Sequence, residues 1–281
     1  MKTAIVSDST AYIPKEICEQ YGIHIIPLSV VFGNETYKEL FEISNEAFYE
    51  RMRREKELPT TTQPSIGMFV SLFEKLAKEY DAVISIHLSS GISGTYQGAI
   101  TAANIVEDKI KVYPYDSELA CMIQGFYALE AAKWAQEGKS PEDILARLDE
   151  LKANTRAYFM VDDLTNLKKG GRLSGVSATV GDLLQIKPLL HFVDTLIVPY
   201  ELVRTRKKAL NKIIKMFEED AAKGEPLYAS IMHANRKEEA EKILADFQKK
   251  YPHVEFIPSE FGPVIGTHLG EGAMGIGWIK K

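Results

Sequence analysis

The chain has 281 residues, 45% of them hydrophobic and 26% charged, which is ordinary for a globular protein that buries a sizeable core. Its formal charge of -5 lacks the basic excess that nucleic acid or an anionic membrane surface would recruit. No stretch approaches the ~20 apolar residues of a membrane span; the N-terminus carries no signal-peptide pattern, and Cys18 and Cys121 form no CxxC pair, so a cytoplasmic chain with reduced thiols is expected.

Strand-like and helix-like patterns alternate along the chain, which predicts α/β architecture. Thr3 to Ser7 reads as a first strand, followed by Asp8-Ser9-Thr10 and a helix from Pro14 to about Tyr21 that Gly22 ends. Ile23 to Phe32 reads as one second strand, and Ser44 caps a helix to about Lys56. The small-residue run Pro59 to Ser65 leads into a helix with Ile66, Phe69, Val70, Phe73 and Leu76 on one face. Ala82 to Leu88 is a buried strand. The cluster Ser89-Ser90-Gly91-Ile92-Ser93-Gly94-Thr95 follows it, and a helix runs to about Val106. Lys109 to Tyr113 is the fourth strand, ending near Asp116-Ser117, before helices over about 118–136 and 141–153. Parallel pairing would bring Asp8, the Ser89–Thr95 cluster and Asp116 to one rim at the carboxyl ends of the strands.

From about residue 156 the texture changes. A strand at Tyr158 to Val161 and a short helix closed by Gly170-Gly171 precede a hairpin, Pro188 to Val193 and Leu196 to Leu202, turned at Asp194-Thr195. A long helix from Thr205, a strand at Tyr228 to Met232, a helix at Lys237 to Lys250 and a strand at Val254 to Pro258 complete the body. The glycine-rich tail around His268 reads as a loop whose backbone approaches a neighbour closely. The expected organisation is an N-terminal α/β domain, 1–155, with a mainly parallel sheet, and a C-terminal α/β domain, 156–281, with a mixed sheet.

A strand, then hydroxyls and glycines, then a helix N-terminus aims backbone and hydroxyl donors at one point, an arrangement suited to an anion. No lysine stands in either cluster, and neither a P-loop nor a G-x-G-x-x-G pattern is present, so a carboxylate fits better than a polyphosphate. Gly91-Ile92-Ser93-Gly94-Thr95 misses the G-x-S-x-G elbow by its last residue. A serine hydrolase or acyltransferase using Ser93, His268 and either Asp8 or Asp116 can still be written, as can a plain helix cap. The six histidines show no paired metal-ligand spacing. Arg204 and Arg206 stand at a helix start, where the dipole disfavours cations, which hints at a use for the charge.

Five motifs, Asp8-Ser9-Thr10, Thr61-Thr62-Gln63-Pro64-Ser65, Leu88 to Tyr96, Gly170-Gly171-Arg172 and Pro263 to Gly272, occur in the order and spacing of the DegV family, which the chain resembles throughout its length. That family includes the fatty-acid-binding subunit of bacterial fatty acid kinase. The resemblance implies a two-domain DegV-like fold that buries one long-chain fatty acid, needs no cofactor or metal, and has no turnover alone. It implies that Thr61, Ser93, the Gly94 amide and His268 hold the carboxylate, with Thr62, Arg172 and Asp8 in support. It implies further that Arg204 faces the ATP-binding kinase subunit, which makes an acyl-phosphate for phospholipid metabolism, and that lipid exchange involves transient membrane contact. Burial of about 14 methylenes of a sixteen-carbon acid at ~0.8 kcal/mol each is worth roughly 11 kcal/mol gross, so the tail would supply affinity and the headgroup orientation. A carrier or sensor of another amphipathic acid, with no kinase, is the remaining reading.

Overall fold

The computed structural model describes residues 1–174 and 187–281. Along the first half run β1 (Thr3–Asp8), α1 (Lys15–Tyr21), β2 (Ile23–Ile26), β3 (Ser29–Phe32), β4 (Glu35–Lys38), α2 (Asn45–Arg54) and β5 (Thr60–Thr62). Then come α3 (Ile66–Leu76), β6 (Ala82–His87), α4 (Thr95–Ile105), β7 (Lys111–Asp116), α5 (Cys121–Gln136) and α6 (Pro141–Ala153). Strands β2-β1-β6-β7 form a four-stranded, wholly parallel sheet. Every residue of β1 and β6 is buried, which explains their unbroken apolar reading. Pro114 lies in β7 at the sheet edge, where its missing amide hydrogen interrupts no ladder.

The single strand expected over 23–32 is two strands in two sheets. Pro27 has a fixed φ and no N–H to continue the ladder. Thus β2 stays in the parallel sheet, while β3 joins a small antiparallel sheet of order β4-β3-β5. The threonine run is therefore partly a strand, Thr61 pairing with Val30, a place that suits β-branched residues. The helix expected from Glu118 begins at Cys121 instead. Glu118 and Cys121 both have left-handed φ, 58° and 62°, so the chain makes a loop before α5 starts.

The second half contains β8 (Arg156–Met160), α7 (Thr165–Lys169), β9 (Lys187–Val193), β10 (Leu196–Val203), α8 (Arg206–Ala221), β11 (Leu227–His233) and α9 (Lys237–Lys250). It closes with β12 (Val254–Phe256), β13 (Ser259–Glu260), α10 (Pro263–Leu269) and β14 (Met274–Lys280). The sheet order is β10-β9-β8-β14-β11-β12, with β13 also on β11. Among the strand pairs of the described residues in this sheet, β11 with β12 and β11 with β13 are parallel and the rest antiparallel, so this sheet is mixed, as its hairpin predicted. Asp194 and Thr195 take φ of 47° and 71°, the two left-handed positions of a two-residue hairpin turn. His268 lies in the last turn of α10 rather than in a loop. The close approach that its glycines implied is real, because a Cβ on Gly266 would stand 2.6 Å from the Tyr49 hydroxyl.

Helix α5 is buried continuously from Cys121 to Ala132 and packs on β1 as well as on β11 and β14. One core cluster consequently holds Ile5, Ile84, Phe126, Tyr228 and Val264 together. Helices α3 and α4 cover the far face of the parallel sheet, and α8 and α9 that of the mixed sheet. The seam along α5 leaves room for a shared cavity.

Candidate functional site

Asp8 organises the rim at the ends of the parallel strands. It is fully buried; its Oδ1 accepts from the Thr10 amide (3.1 Å) and hydroxyl (2.6 Å). Its Oδ2 accepts from the Leu88 amide (2.9 Å) and Gln124 Nε2 (3.0 Å), and lies 3.1 Å from His87 Nδ1. An ionised carboxylate only accepts, so the network assigns the proton to His87 Nδ1 and makes Ser85, 2.7 Å from Nε2, the other donor. Ser85, His87 and Asp8 follow the order of a hydrolase triad, yet all three are fully buried, and Ser85 lies within strand β6. Their work is to fix the start of the Ser89–Gly94 loop. Asp116 steadies the same loop by accepting from the Ser90 and Glu118 amides. The tip of the β9–β10 hairpin closes it from above, Ser89 Oγ donating to the Thr195 carbonyl at 2.6 Å.

Three further segments meet beside this loop. Thr61 Oγ1 from β5 stands 2.8 Å from His268 Nε2 on α10. Ser93 Oγ lies 2.8 Å from Thr95 Oγ1 and accepts from the Thr95 amide at 3.3 Å, so it occupies the N-terminus of α4. Gly94 is exposed, and a Cβ there would lie 2.2 Å from Gln63 Oε1, so a larger residue would require the exposed Gln63 side chain to swing aside. Thr62 is exposed and donates to the Gln63 carbonyl. Arg172 reaches across from the end of α7, its Nε donating to the Ile92 carbonyl at 3.1 Å and its Nη1 to the Gly170 carbonyl.

Burial, reinforced by the Arg172 charge, pushes the His268 imidazole down to about 4. The ring is neutral at neutral pH. Its Nδ1 is buried against Gly170, with no hydrogen-bond partner among the described residues. A buried lone pair costs less than a buried unpaired N–H, so the network assigns the proton to Nε2, which donates to Thr61 Oγ1. That leaves the Thr61 hydroxyl proton free to point at an acceptor.

Thr61, Ser93, Gly94, Arg172 and His268 all line one cavity of about 260 Å³. Its remaining wall is mainly apolar, with Leu28, Ile123, Phe159, Phe192, Ile197 and Ile265 prominent, drawn from both halves of the chain. Buried Cys121 lines it too, and burial pushes its thiol well up, which suits a packing role. Thr61, Arg172 and His268 also line a second recess of about 420 Å³ edged by Lys56 and Lys169. These three residues thus stand between an apolar interior and a basic outer recess.

The DegV family model matches residues 2–281. This chain belongs to the DegV family. It is 58% identical to Protein DegV of Bacillus subtilis, with all of both chains covered. Its fold superposes, at a TM-score of 0.95 and with both chains fully covered, on the crystal structure of DegV described as a fatty acid binding protein from that organism. A DegV family protein from Thermus thermophilus, described by its fatty acid binding, is 29% identical with a TM-score of 0.91 and both chains fully covered. A stearic acid-binding protein from Eubacterium ventriosum is 27% identical, with a TM-score of 0.89 and 99% and 98% of the two chains covered. The α/β architecture described above, with its parallel, mixed and small antiparallel sheets, is the DegV fold.

Within this DegV chain, the expected carboxylate residues Thr61, Ser93, Gly94 and His268 share one cavity with Arg172 and Thr62. Asp8 supports the site through Leu88 and does not line it. Arg204 stands apart, exposed between β10 and α8. The hydrolase arrangement is not formed: His268 Nε2 faces Thr61 and not Ser93, and Asp8 and Asp116 bind other groups. The sequence reading missed Gln63, which fills the space above Gly94, and every apolar lining residue. The adjacency of Gln63 to the threonines was the available signal for the first; nothing distinguishes the second from ordinary core. Among the described residues no His, Cys, Asp and Glu cluster could hold a metal, and no helix is long and apolar enough to cross a membrane.

Proposed function

We propose that this chain binds one long-chain fatty acid, its tail in the apolar cavity and its carboxylate at Thr61, Ser93, the Gly94 amide and His268, and presents that carboxylate to a separate ATP-dependent kinase. The observation that carries the reading is the neutral Thr61–His268 pair beside Ser93, at the boundary between an apolar cavity and a basic recess. Neutral donors can hold a singly charged headgroup without the desolvation cost of a fully buried counter-ion. Arg172, tied to backbone carbonyls, supplies nearby positive charge. Fatty acid binding by the relatives from Bacillus subtilis, Thermus thermophilus and Eubacterium ventriosum supports the ligand class.

On this reading residues 1–155 and 156–281 are two domains that enclose the ligand between them. The phosphoryl donor enters with the partner kinase, and exposed Arg204 faces that partner. The protein works in the cytoplasm, without a cofactor or turnover of its own, and meets membranes only to exchange lipid. Organic-solvent extraction of the purified protein followed by mass spectrometry tests the ligand. A stoichiometric long-chain fatty acid is expected. An empty cavity, or another class of amphipathic acid, would overturn the reading.

A further inference from the structure

Glu39 is fully buried, and its hydrogen-bond partners among the described residues, Ser9, Tyr12 and the Val264 amide, include no cation. Helix α10 begins with Pro263, which has no N–H, so its free first-turn amides are those of Val264 and Ile265. Val264 donates directly to Glu39 Oε1 at 2.7 Å. Ile265 donates to the Tyr12 hydroxyl at 3.2 Å, and Tyr12 donates onward to Glu39 Oε1 at 2.8 Å. On the other oxygen, Ser9 Oγ donates at 2.6 Å while itself accepting from the Leu28 amide at 3.0 Å. Every hydroxyl in this net is thereby oriented toward Glu39, an order that only the ionised carboxylate satisfies. The three backbone positions so held, Leu28, Val264 and Ile265, all line the apolar cavity, and α10 carries His268 one turn further on. Gly262 makes the approach possible, since a Cβ there would lie 2.4 Å from the Tyr12 ring and 3.0 Å from Glu39 Oε1.

We infer that Glu39 is the positioning residue of the carboxylate site: its ionised side chain anchors the N-terminus of α10 and so holds His268 against Thr61 and the cavity wall in place. Protonation of Glu39 turns an acceptor into a donor facing hydroxyls already oriented to donate, and the anchor loosens. Burial lifts this carboxyl to about 7, so the change falls near neutral pH. The titratable groups facing it are Asp8 at the end of β1, Tyr12 in the turn that follows, Tyr49 on α2 and Cys121 at the start of α5; none is a cation. The inference uses the fatty-acid reading for one of its readouts only.

Two opposite trends identify a positioning role. Between about 4.5 and 7 the folded chain holds a proton on Glu39 that the unfolded chain releases, so this group's contribution to stability increases as pH falls. Ligand affinity instead decreases, by up to about tenfold per pH unit below about 7. The experiment compares wild type and Glu39→Gln from pH 6 to 8.5 by palmitate titration below its micelle concentration and by ¹⁵N NMR of the His268 ring. The ligand's own titration is common to both proteins. Glu39→Gln is expected to weaken palmitate on the order of tenfold at pH 8.5, the loss of one charged acceptor, and to flatten both the affinity profile and the His268 shift near pH 7. Superimposable profiles for the two proteins would overturn the inference. If wild type binds no palmitate, the fatty-acid reading fails and the His268 shift alone decides the role of Glu39. If Glu39→Gln does not fold, Tyr12→Phe takes its place. Loss of one donor to the carboxylate then raises the midpoint, and an unmoved midpoint would overturn the inference.

Discussion

Thr61 and His268, 207 residues apart in the chain, meet at 2.8 Å. The contact needs β5 to pair with β3 and α10 to pack on α2, so the polar end of the site is built by tertiary structure rather than by either motif alone. Thr61→Ala removes the hydroxyl and leaves His268 Nε2–H unpaired. Hydrogen bonds to a charged group are worth about 1.5–3 kcal/mol. Fatty acid affinity is therefore expected to fall roughly ten- to hundredfold, and stability by about 1–3 kcal/mol for the unpaired buried N–H. Ser93→Ala should lie at the lower end, because the Gly94 amide remains. Isothermal titration with palmitate checks both, and unchanged affinity in both variants would remove the headgroup assignment.

His268 gives the site a pH signature of its own. Its pKa is lowered to about 4 from the usual 6.5, so the folded protein binds fewer protons than the unfolded chain between those values. The group's contribution to stability is complete above pH 6.5 and is lost as pH falls toward 4, on the order of 3 kcal/mol in total. Chemical denaturation at pH 7 and pH 4 should show that loss in wild type and much less of it in His268→Ala. A bound carboxylate next to the ring raises its pKa, so the loaded protein should resist acid better than the empty one.

Much of this arrangement was legible in the sequence, for physical reasons that can be named. Strands β1 and β6 are buried on both faces and so read as apolar runs, and the hydroxyl and glycine clusters mark the strand ends where donors collect. The break at Pro27 was missed because Ile23 to Phe32 is apolar on both sides of it, and periodicity does not reveal a change of sheet. The helical setting of His268 was hidden by flanking glycines that serve α10's close packing and its end at Gly270. Glu39 was illegible. It stands among the exposed residues of Glu35 to Glu42, and its burial depends on Tyr12 and α10, which arrive from opposite ends of the chain.

Ser93 should be inert toward activated phosphonates. Its hydroxyl partners Thr95, His268 is bonded to Thr61, and the His268 ring has no carboxylate on Nδ1 among the described residues. Both the base and its orienting acid are missing from the arrangement a nucleophilic serine needs. Incubation with a fluorophosphonate probe is expected to leave the intact mass unchanged. Stoichiometric adduct on Ser93 would revive the hydrolase reading.

Gly266→Ala separates two opposing effects of known size. Within a helix the substitution ordinarily gains up to about 1 kcal/mol. Here the added methyl would stand 2.6 Å from the Tyr49 hydroxyl and 2.9 Å from the Phe48 ring, both buried. Overpacking of that kind costs about 1–3 kcal/mol, and Tyr49 is further held by its bond to the Phe261 carbonyl. Net destabilisation of about 1–2 kcal/mol is expected by urea denaturation, with weaker ligand binding as α10 is displaced. A stabilised variant would show that α2 yields freely.

Arg204 and Arg206, two residues apart, predict contrasting losses. Arg206 donates to Asp162 Oδ1 at 3.0 Å and Glu239 Oε2 at 2.7 Å, and also to the Gly272 carbonyl, which joins α8 to α9 and to the loop after α10. The dipole misfit of a cation at a helix start is thus offset by two carboxylates. Arg206→Ala is expected to lower stability by about 1–2 kcal/mol, since the ion pairs are only partly screened. Arg204 is exposed and contributes no such bond among the described residues, so Arg204→Ala should leave stability and palmitate affinity unchanged. On the proposed kinase reading, a coupled assay with such a kinase and ATP should instead show Arg204→Ala slowing acyl-phosphate formation roughly tenfold, through weaker engagement of the partner. Full coupled activity would remove Arg204 from the kinase-facing surface, and a matching loss of palmitate affinity would assign it to the fold.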